Sequence, residues 1–262
     1  MQEALRQYYQ DYGRHNLPWR QPESDGSFDP YKVMVSEIML QQTQVARVIP
    51  KFNQFLITFP RVTDLAKAEL ADVLRLWSGL GYNRRAKFLW QAAQQIAVLG
   101  EFPRTQKDLV ALPGIGPNTA GAIMAYTWNE PVVFIETNVR TVYIHYYFTD
   151  QSDVPDQAIK ELIETTLDRE NTREFYWALM DYGTHLKQTV GNANRQSKSY
   201  AKQSAFHGSK RQIRGQVLRN LGFERLTLKQ LETQISDERL AVVLADLLNE
   251  GLIQKQGTYF HL

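Results

Sequence analysis

Helical periodicity runs through most of this chain and limits its possible folds more than any other feature. From Pro30 to about Leu186, apolar residues recur at intervals of three and four, and the breaks fall at Pro or Gly. Clear examples are DPYKVMVSEIMLQQ, QVARVIPKFNQFLITF, RAKFLWQAAQQIAVL and TREFYWALMDYGTHL. The alternation of strand and helix patterns that a parallel sheet requires is not visible. The sequence therefore predicts a mainly α domain over residues 1–186.

The pattern changes twice after this domain. Residues 187–208 are rich in Gln, Asn, Ser and Lys and short of aliphatic residues, which is typical of a linker or an ordered polar loop. Residues 209–262 then contain three short helical patterns, followed by two short strand patterns around Gly257. That order predicts a small winged-helix-like module, a class that often binds DNA; a helical cap with a β tail is the alternative.

The composition excludes several kinds of site. The chain has 262 residues and no cysteine, so disulfides, thiolate zinc sites and cysteine-bound iron-sulfur clusters are excluded, and no metal site is expected. The N-terminal sequence lacks the apolar core of a signal peptide, and no apolar run approaches the ~20 residues that a membrane span needs. We therefore expect a cytoplasmic protein with no membrane partner.

Positive charge is concentrated in one segment. The net charge is only +2, yet residues 187–229 contain ten Lys or Arg and a single acid, Glu224. Local basicity of this kind favours contact with a polyanion such as DNA, although a solvated charged surface would look similar.

Glu37 is the first candidate for chemistry. It stands alone as an acid in the apolar helical run VSEIMLQQTQV, so its carboxyl group is expected on a largely apolar face. A desolvated carboxyl group has a raised pKa and can act as a general acid near neutral pH. An acid at the edge of the apolar face, reaching water or capping a helix, is the alternative.

Two further stretches could serve the same reaction. In LPGIGPNTAGAIM, residues 112–124, two glycines between helical patterns predict a tight hairpin whose amides could bind a phosphate, or else a plain turn. In VVFIETNVRTVY, Thr137 could cap a helix and Glu136 would lie near its positive end, either as a structural group or as a carboxylate that stabilises a cation. An acid and a carboxylate together could cleave a purine N-glycosidic bond after the base is flipped out of DNA.

Residues 17–186 resemble the helix-hairpin-helix DNA glycosylases and, within them, the adenine DNA glycosylases of the MutY family. The resemblance is carried by LPWR at 17–20, DPYKVMVSEIMLQQTQVARVIPKF at 29–52, LWSGLGYNRRAKFL at 76–89 and LPGIGPNTAGAI at 112–123. It implies two helical lobes with the active site between them.

The resemblance also implies roles for individual residues. Glu37 would protonate the adenine, with Glu136 as the second catalytic group. Trp19, Arg20 and Leu40 would line the base pocket, and Gln42 with Tyr82 would wedge into the DNA stack. The remaining expected DNA contacts are Leu112, Gly114, Gly116 and Asn118 in the hairpin, and Lys198, Lys202, Lys210, Arg211 and Arg214 in the basic segment.

One difference from bifunctional relatives and three departures from the family pattern shape the expected function. Bifunctional relatives have a lysine nucleophile where this chain has Asn118, so no lysine-dependent lyase activity is expected. The family has an aspartate at Glu136. It also has iron-sulfur cysteines, the first of which corresponds to Lys187, so this chain would be a clusterless variant without a cofactor. The C-terminal segment is too short for the family's Nudix-related domain.

These features predict a monofunctional DNA glycosylase of base excision repair. It would hydrolyse the N-glycosidic bond of adenine opposite guanine or 8-oxoguanine in duplex DNA, acting as a nucleoid-associated monomer. A glycosylase for hypoxanthine, or for uracil or thymine in mismatches, is the alternative on the same scaffold. A repair factor that binds DNA lesions without catalysis is the alternative from another class.

Overall fold

Helix follows helix along the chain, as the periodicity predicts. A computed structural model describes residues 1–202 and 205–262. The α-helices in these ranges are α1 Gln2–Tyr12, α2 Pro30–Leu40, α3 Val45–Thr58, α4 Val62–Lys67, α5 Leu70–Trp77, α6 Arg84–Leu99, α7 Gln106–Val110, α8 Pro117–Trp128, α9 Thr137–Tyr147, α10 Asp156–Thr166, α11 Thr172–Thr189, α12 Lys210–Leu221, α13 Leu228–Gln234 and α14 Leu240–Asn249. Two short 3-10 helices span Pro18–Arg20 and Ala193–Gln196. The mainly α prediction is confirmed.

Local sequence explains where several helices begin and end. The Thr105 side chain accepts a hydrogen bond from the Asp108 amide and so caps α7. Helix α8 starts with Pro117, whose fixed φ suits the first turn, and Asn129 in the left-handed conformation caps its C-terminal end. Helix α13 begins with a capping box formed by Thr227 and Gln230.

The described residues group into two compact units, each made of segments that are distant in the sequence. The first unit comprises Met1–Glu37, Arg104–Ala111 and Ile115–Lys202. The second comprises Ile38–Pro103, Leu112–Gly114 and Gln203–Leu262, of which residues 203 and 204 lie outside the described ranges. The boundary between the units falls inside α2, directly after Glu37.

In the first unit, α9 and α11 pack closely and form the centre of the core. Val139, Val142 and Tyr143 of α9 are fully buried, as is Tyr176 of α11. Gly183 makes the close approach possible, because a Cβ atom at this position would lie 2.5 Å from the main-chain oxygen of Asn138. The start of α9 is therefore held directly against α11.

In the second unit, α3, α5 and α6 surround a core that includes Phe52, Phe55, Trp77 and Leu89. Its C-terminal segment places α12 first, then β1 Leu226–Thr227, α13 and α14, and finally β2 Gln254–Gln256 and β3 Tyr259–His261. The strands form an antiparallel sheet in the order β1-β3-β2. The assignment of this segment to the winged-helix class stays a prediction.

The polar segment at residues 187–208 begins inside a helix, because α11 continues to Thr189. Its 3-10 helix is followed by Ser197, which forms a parallel bridge with Val154. Residues 203 and 204 of this segment lie outside the described part of the chain. Within the described ranges, no helix is long and apolar enough to cross a bilayer.

Candidate active site

Glu37 lies on α2 among side chains that are almost completely buried. Met34 and Val35 are 0% exposed, while Glu37 itself is half-buried. Desolvation raises the pKa of the Glu37 carboxyl group to about 8; the charge of Glu136 raises it further and that of Arg20 opposes the change. At neutral pH this carboxyl group therefore holds a proton.

Glu136 ends an extended segment and occupies the N-cap position of α9. The helix begins at Thr137, so the expectation that Thr137 caps it is wrong; Glu136 has the extended backbone of a cap residue, with φ −102° and ψ 164°. Burial raises the pKa of the half-buried Glu136 carboxyl group, against the charge of Arg140 and a hydrogen bond from the Thr137 amide. These two groups stabilise the ionised form of Glu136.

The two carboxyl groups act on each other electrostatically. Because the negative charge of Glu136 contributes to the raised pKa of Glu37, the pair is expected to lose its protons in separate steps. Glu136 ionises first and Glu37 keeps its proton to higher pH. This first-unit site therefore presents a carboxylic acid and a carboxylate together, which is the combination that acid-assisted bond cleavage requires.

A buried ion network fixes Arg20 beside this pair. Arg20 is 6% exposed, and its two terminal nitrogens donate to the Asp181 carboxylate at 2.8 and 2.9 Å. Arg14 donates to the same carboxylate from its Nε atom at 2.7 Å. Burial alone would raise the pKa of Asp181, but its hydrogen bonds to Arg20 and the charges of Arg20 and Arg14 lower it below the usual value. The Arg20 guanidinium also lies over the Trp177 ring, at 5.2 Å from its centroid.

Tyr126 is a site residue that sequence reasoning missed. It is buried on α8. Burial raises the pKa of its hydroxyl group, and the charges of Glu37 and Glu136 raise it further, whereas the charge of Arg20 lowers it. Its ring stacks on Trp177, with centroids 5.9 Å apart. Sequence reasoning also missed Asp181. Each could have been noticed as a polar group inside an apolar helical stretch, Tyr126 in AIMAYTW and Asp181 in ALMDYG.

The predicted hairpin connects α7 and α8. Gly114 has φ +77°, and a Cβ atom there would lie 2.7 Å from the Cβ of Phe88, so only glycine fits without a shift. Leu112 is buried, and Gly116 caps α8. The hairpin has the predicted form, while its contact with phosphate stays a prediction.

Asn118 lies on the first turn of α8, where the lyases resembling this chain would carry their nucleophile. Its side chain is exposed, and its Oδ1 atom accepts a hydrogen bond of 3.3 Å from the amide of Ile135. The amide group therefore ties the first turn of α8 to the segment that precedes Glu136.

Two turns of the second unit carry Gln42 and Tyr82, with φ of +55° and +47°. A left-handed conformation costs a non-glycine residue about 1 kcal/mol or more. Arg85, which sequence reasoning also missed, holds both turns. It is buried, and its guanidinium donates to six main-chain carbonyl groups, those of Ile38, Met39, Gln41, Leu80, Gly81 and Tyr82. Burial lowers the pKa of Arg85 to about 10, so the group stays charged at neutral pH.

A cleft of about 470 Å³ lies beside these turns, within the second unit. Arginine side chains dominate its polar lining, with a single acid. The lining residues are Gln41, Gln42, Tyr82, Asn83, Arg84, Arg85, Phe88, Arg211, Arg214 and Glu250. The cleft therefore combines an aromatic ring with positive charge, as sites for single-stranded segments of nucleic acid do.

A known protein family matches the part of the sequence that carries this site. Residues 35–166, which contain Glu37, the hairpin and Glu136, match the family described as HhH-GPD superfamily base excision DNA repair protein. The chain belongs to this superfamily. The helix-hairpin-helix fold expected from the resemblance is thereby confirmed.

Known relatives of this superfamily member include adenine DNA glycosylases. That of Buchnera aphidicola subsp. Baizongia pistaciae (strain Bp) is 35% identical over 187 residues, which cover 69% of this chain and 51% of the relative. That of Mus musculus is 40% identical over 138 residues, covering 50% of this chain and 27% of the relative. This superfamily member thus spans about half the length of the Buchnera relatives that it matches.

Solved structures with the same fold include two DNA repair enzymes. A thermostable thymine-DNA glycosylase has a TM-score of 0.59 at 24% identity, covering 69% of this chain and 83% of that one. Endonuclease III in a non-covalent DNA complex has a TM-score of 0.58 at 16% identity, covering 72% and 86%. At these identities the likeness supports the fold of the HhH-GPD chain and does not extend to its substrate.

The other predicted residues of this superfamily member lie at several places. Trp19 is buried beside Arg20 in its 3-10 helix, and Leu40 is half-buried at the end of α2. Lys198 and Lys202 are exposed. Lys210 lies 4.0 Å from Asp246 on α14. Arg214 forms an ion pair of 2.5 Å with Glu250, which follows the end of α14. The roles of Trp19 and Leu40 in the base pocket, and of the basic residues in DNA binding, stay predictions.

Lys187, the position expected for the first cluster ligand, has a local structural contact. Its Nζ atom donates to Asn138 Oδ1 at 2.6 Å, and burial lowers the pKa of its amino group to about 8. In residues 1–202 and 205–262, no group of three or more His, Asp or Glu side chains is arranged to hold a metal ion. The clusterless state stays a prediction.

Proposed function

We propose that the protein is a DNA glycosylase of base excision repair that hydrolyses the N-glycosidic bond of adenine mispaired with guanine or 8-oxoguanine. The observation that carries this proposal is the pair formed by Glu37, whose pKa is raised to about 8, and the more readily ionised Glu136. The adenine DNA glycosylases among its relatives support the choice of base. Membership in the HhH-GPD superfamily supports DNA as the substrate.

The pair divides the reaction between its members. Glu37 would transfer its proton to a ring nitrogen of the flipped adenine, and the C1′–N9 bond would break with its electron pair leaving on the base. The Glu136 carboxylate would stabilise the resulting oxocarbenium ion. A water molecule would then add to C1′ and give its proton to Glu136. The products are free adenine and an abasic sugar in an intact strand.

The absence of strand cleavage belongs to the same proposal. A lyase of this superfamily attacks the sugar with a lysine amine, whereas the corresponding side chain here is the amide of Asn118, which cannot form a Schiff base. The Asn118 side chain contacts the Ile135 amide, so its place in the site supports a structural role.

A panel of labelled duplexes with single mismatches or lesions tests the proposal. We expect alkali-sensitive abasic sites only where adenine faces guanine or 8-oxoguanine, with no cleavage before alkali. The rate should fall as pH rises above about 8, because Glu37 then loses its proton. Glu37→Gln should reduce the rate at least about a hundredfold and leave DNA affinity unchanged.

Other results would overturn the proposal. Abasic product only at hypoxanthine, uracil or thymine would assign the site to another base. Tight binding without product from any duplex would identify a lesion-binding factor. An active Glu37→Gln variant would show that Glu37 is not the acid.

A further inference from the structure

The Tyr82 side chain is held between two guanidinium groups of the second unit. Arg211, on α12 of the C-terminal segment, donates from Nη1 to the Tyr82 hydroxyl oxygen at 2.6 Å. Its guanidinium carbon lies 5.4 Å from the Tyr82 ring centroid, and that of Arg85 lies 5.5 Å from it. Both distances lie within the range of cation–π attraction.

Both arginines lie against the Tyr82 ring, but their hydrogen bonds reach different groups. Arg85 binds the carbonyl groups of Leu80 and Gly81 and so fixes the main chain of the turn. A fixed main chain still leaves the side-chain torsions of a half-exposed tyrosine free to change. Arg211 supplies a contact at the far end of the ring, at the hydroxyl group, and so restricts the direction in which the ring points.

The position of Arg211 is itself fixed, because the C-terminal segment is anchored to helices α5 and α6 of the same unit. Arg75 on α5 donates to the main-chain oxygen of Gly222 at 3.0 Å. Lys87 on α6 donates to the main-chain oxygen of Glu250, whose side chain forms an ion pair with Arg214. Arg214 is one turn beyond Arg211 on α12. These contacts therefore hold Arg211 at hydrogen-bonding distance from the Tyr82 hydroxyl group.

From these contacts we infer that Arg211 is a positioning residue for Tyr82 and that the C-terminal segment takes part in opening the duplex. The inference rests on the proposed function and on the role that the resemblance implies for Tyr82, its entry into the DNA stack. A ring that already points in the productive direction loses less conformational entropy when it enters the stack. Arg211 thus assists unstacking as well as supplying positive charge.

The competing role for Arg211 is that of a simple cation on a phosphate group, and variants can separate the two. Arg211→Lys keeps the charge but removes the planar fork that binds the hydroxyl group and lies against the ring. Tyr82→Phe keeps the ring and removes the acceptor. Arg219→Ala is the matched control, because it removes one exposed positive charge from the same helix.

The experiment uses full-length protein and a duplex with 2-aminopurine beside a mismatched adenine, whose fluorescence rises on unstacking. The equilibrium ratio of unstacked to stacked base should fall about tenfold in Arg211→Ala and in Arg211→Lys, the effect expected for one hydrogen bond to a charged group. Arg219→Ala should leave this ratio unchanged. The double variant Arg211→Ala, Tyr82→Phe should be no worse than the poorer single variant, because the two side chains share one contact.

The salt dependence of DNA binding completes the test. Arg211→Lys should keep the wild-type slope of log K against log salt while losing the unstacking signal. A lysine variant with wild-type unstacking, or additive losses in the double variant, would overturn the inference. Circular dichroism of each variant shows whether its fold is retained, and Tyr82→Phe provides the test if Arg211→Ala unfolds.

The unstacking signal does not depend on base removal. If the wild type unstacks the base but releases no adenine from any duplex, the proposed function fails and the role of Arg211 can still be judged. If adenine is released and Arg211→Ala behaves as Arg219→Ala does, only the inference about Arg211 fails.

Discussion

At the scale of single residues, Glu37 shows how a functional group can cost stability. Its carboxyl group is desolvated and lies near Glu136, so the folded protein favours the protonated form. The stabilising contribution of this group is complete below the unfolded pKa, near 4.5, and is lost as pH rises to about 8. The slope for one such group cannot exceed about 1.4 kcal/mol per pH unit.

Glu37→Gln should therefore stabilise the protein more at pH 8 than at pH 5. The amide is neutral in both states, whereas the carboxyl group must take up a proton on folding, and the free-energy cost of that uptake grows between pH 5 and pH 8. Urea unfolding of both proteins at the two pH values gives the difference in unfolding free energy. A difference that does not change with pH would show that Glu37 titrates normally in the folded protein.

Asp181 has the opposite effect on stability, since it is buried between Arg14 and Arg20. Asp181→Asn should destabilise the protein by about 3 kcal/mol or more, because Arg20 is left buried without its countercharge. Asp72→Asn, which breaks an exposed ion pair with Arg75, is the control and should cost less than about 1 kcal/mol. Urea midpoints measure both; equal losses would contradict the assigned role of the network.

Some site residues could be predicted from the sequence and others could not. Glu37 could be found, because a lone acid in an apolar helical run is visible within one turn on either side. The partner of Arg20 could not, because Asp181 is 161 positions away and its run resembles an ordinary core helix. Arg85 and Tyr126 were missed for a similar reason: their roles depend on groups that only folding brings near.

At the scale of elements, the packing of α9 against α11 positions Glu136. Gly183→Ala should cost about 1–3 kcal/mol, because the new Cβ atom would meet the Asn138 main-chain oxygen at 2.5 Å and push α9 away. Adenine release should fall as well, since Asn138 follows Glu136 closely in the chain. Urea unfolding and single-turnover rates measure the two effects.

Gly215 on α12 is the matched control for this substitution. A Cβ atom there meets nothing within 4 Å, so Gly215→Ala should stabilise the protein by about 0.5–1 kcal/mol through helix propensity. Destabilisation by both substitutions, to the same extent, would contradict the explanation from close approach.

Helices were easier to predict than strands and boundaries. The three- and four-residue spacing located α2, α3, α5, α6 and the helices from α8 to α11, whereas α4 and α7 are too short, at six and five residues, to show it. Strand β1 was missed, since its two residues are too few to show alternation. The end of α11 was placed at residue 186, whereas the helix continues to Thr189 through polar residues that carry no periodic signal.

At the scale of the whole molecule, the two compact units each combine segments that are far apart in the sequence. Residues 205–262 group with residues 38–103; the predicted division into a helical domain, a polar linker and a C-terminal module stays a prediction. Sequence reasoning follows the order of segments along the chain, and the contacts that join α5 and α6 to the C-terminal segment involve single side chains such as Arg75 and Lys87. These contacts leave no pattern in the sequence.

The basic segment should contribute to DNA affinity through its exposed charges. Replacing both Lys198 and Lys202 by Ala should reduce the slope of log K against log salt by about 1.8, if each neutralises one phosphate. Lys67→Ala with Lys160→Ala removes two exposed charges elsewhere and should leave the slope unchanged. Fluorescence anisotropy over a salt series measures both. Equal slopes for the two double variants would identify the segment as an ordinary solvated surface.

Arg85 couples the turn that carries Gln42 to the turn that carries Tyr82. Its single guanidinium binds carbonyl groups on both turns, so a change in either one is transmitted to the other. A redesign of one turn must therefore rebuild both together with Arg85. Lysine could not replace it, because three donors on a flexible stem cannot reproduce a planar fork that serves six main-chain carbonyl groups.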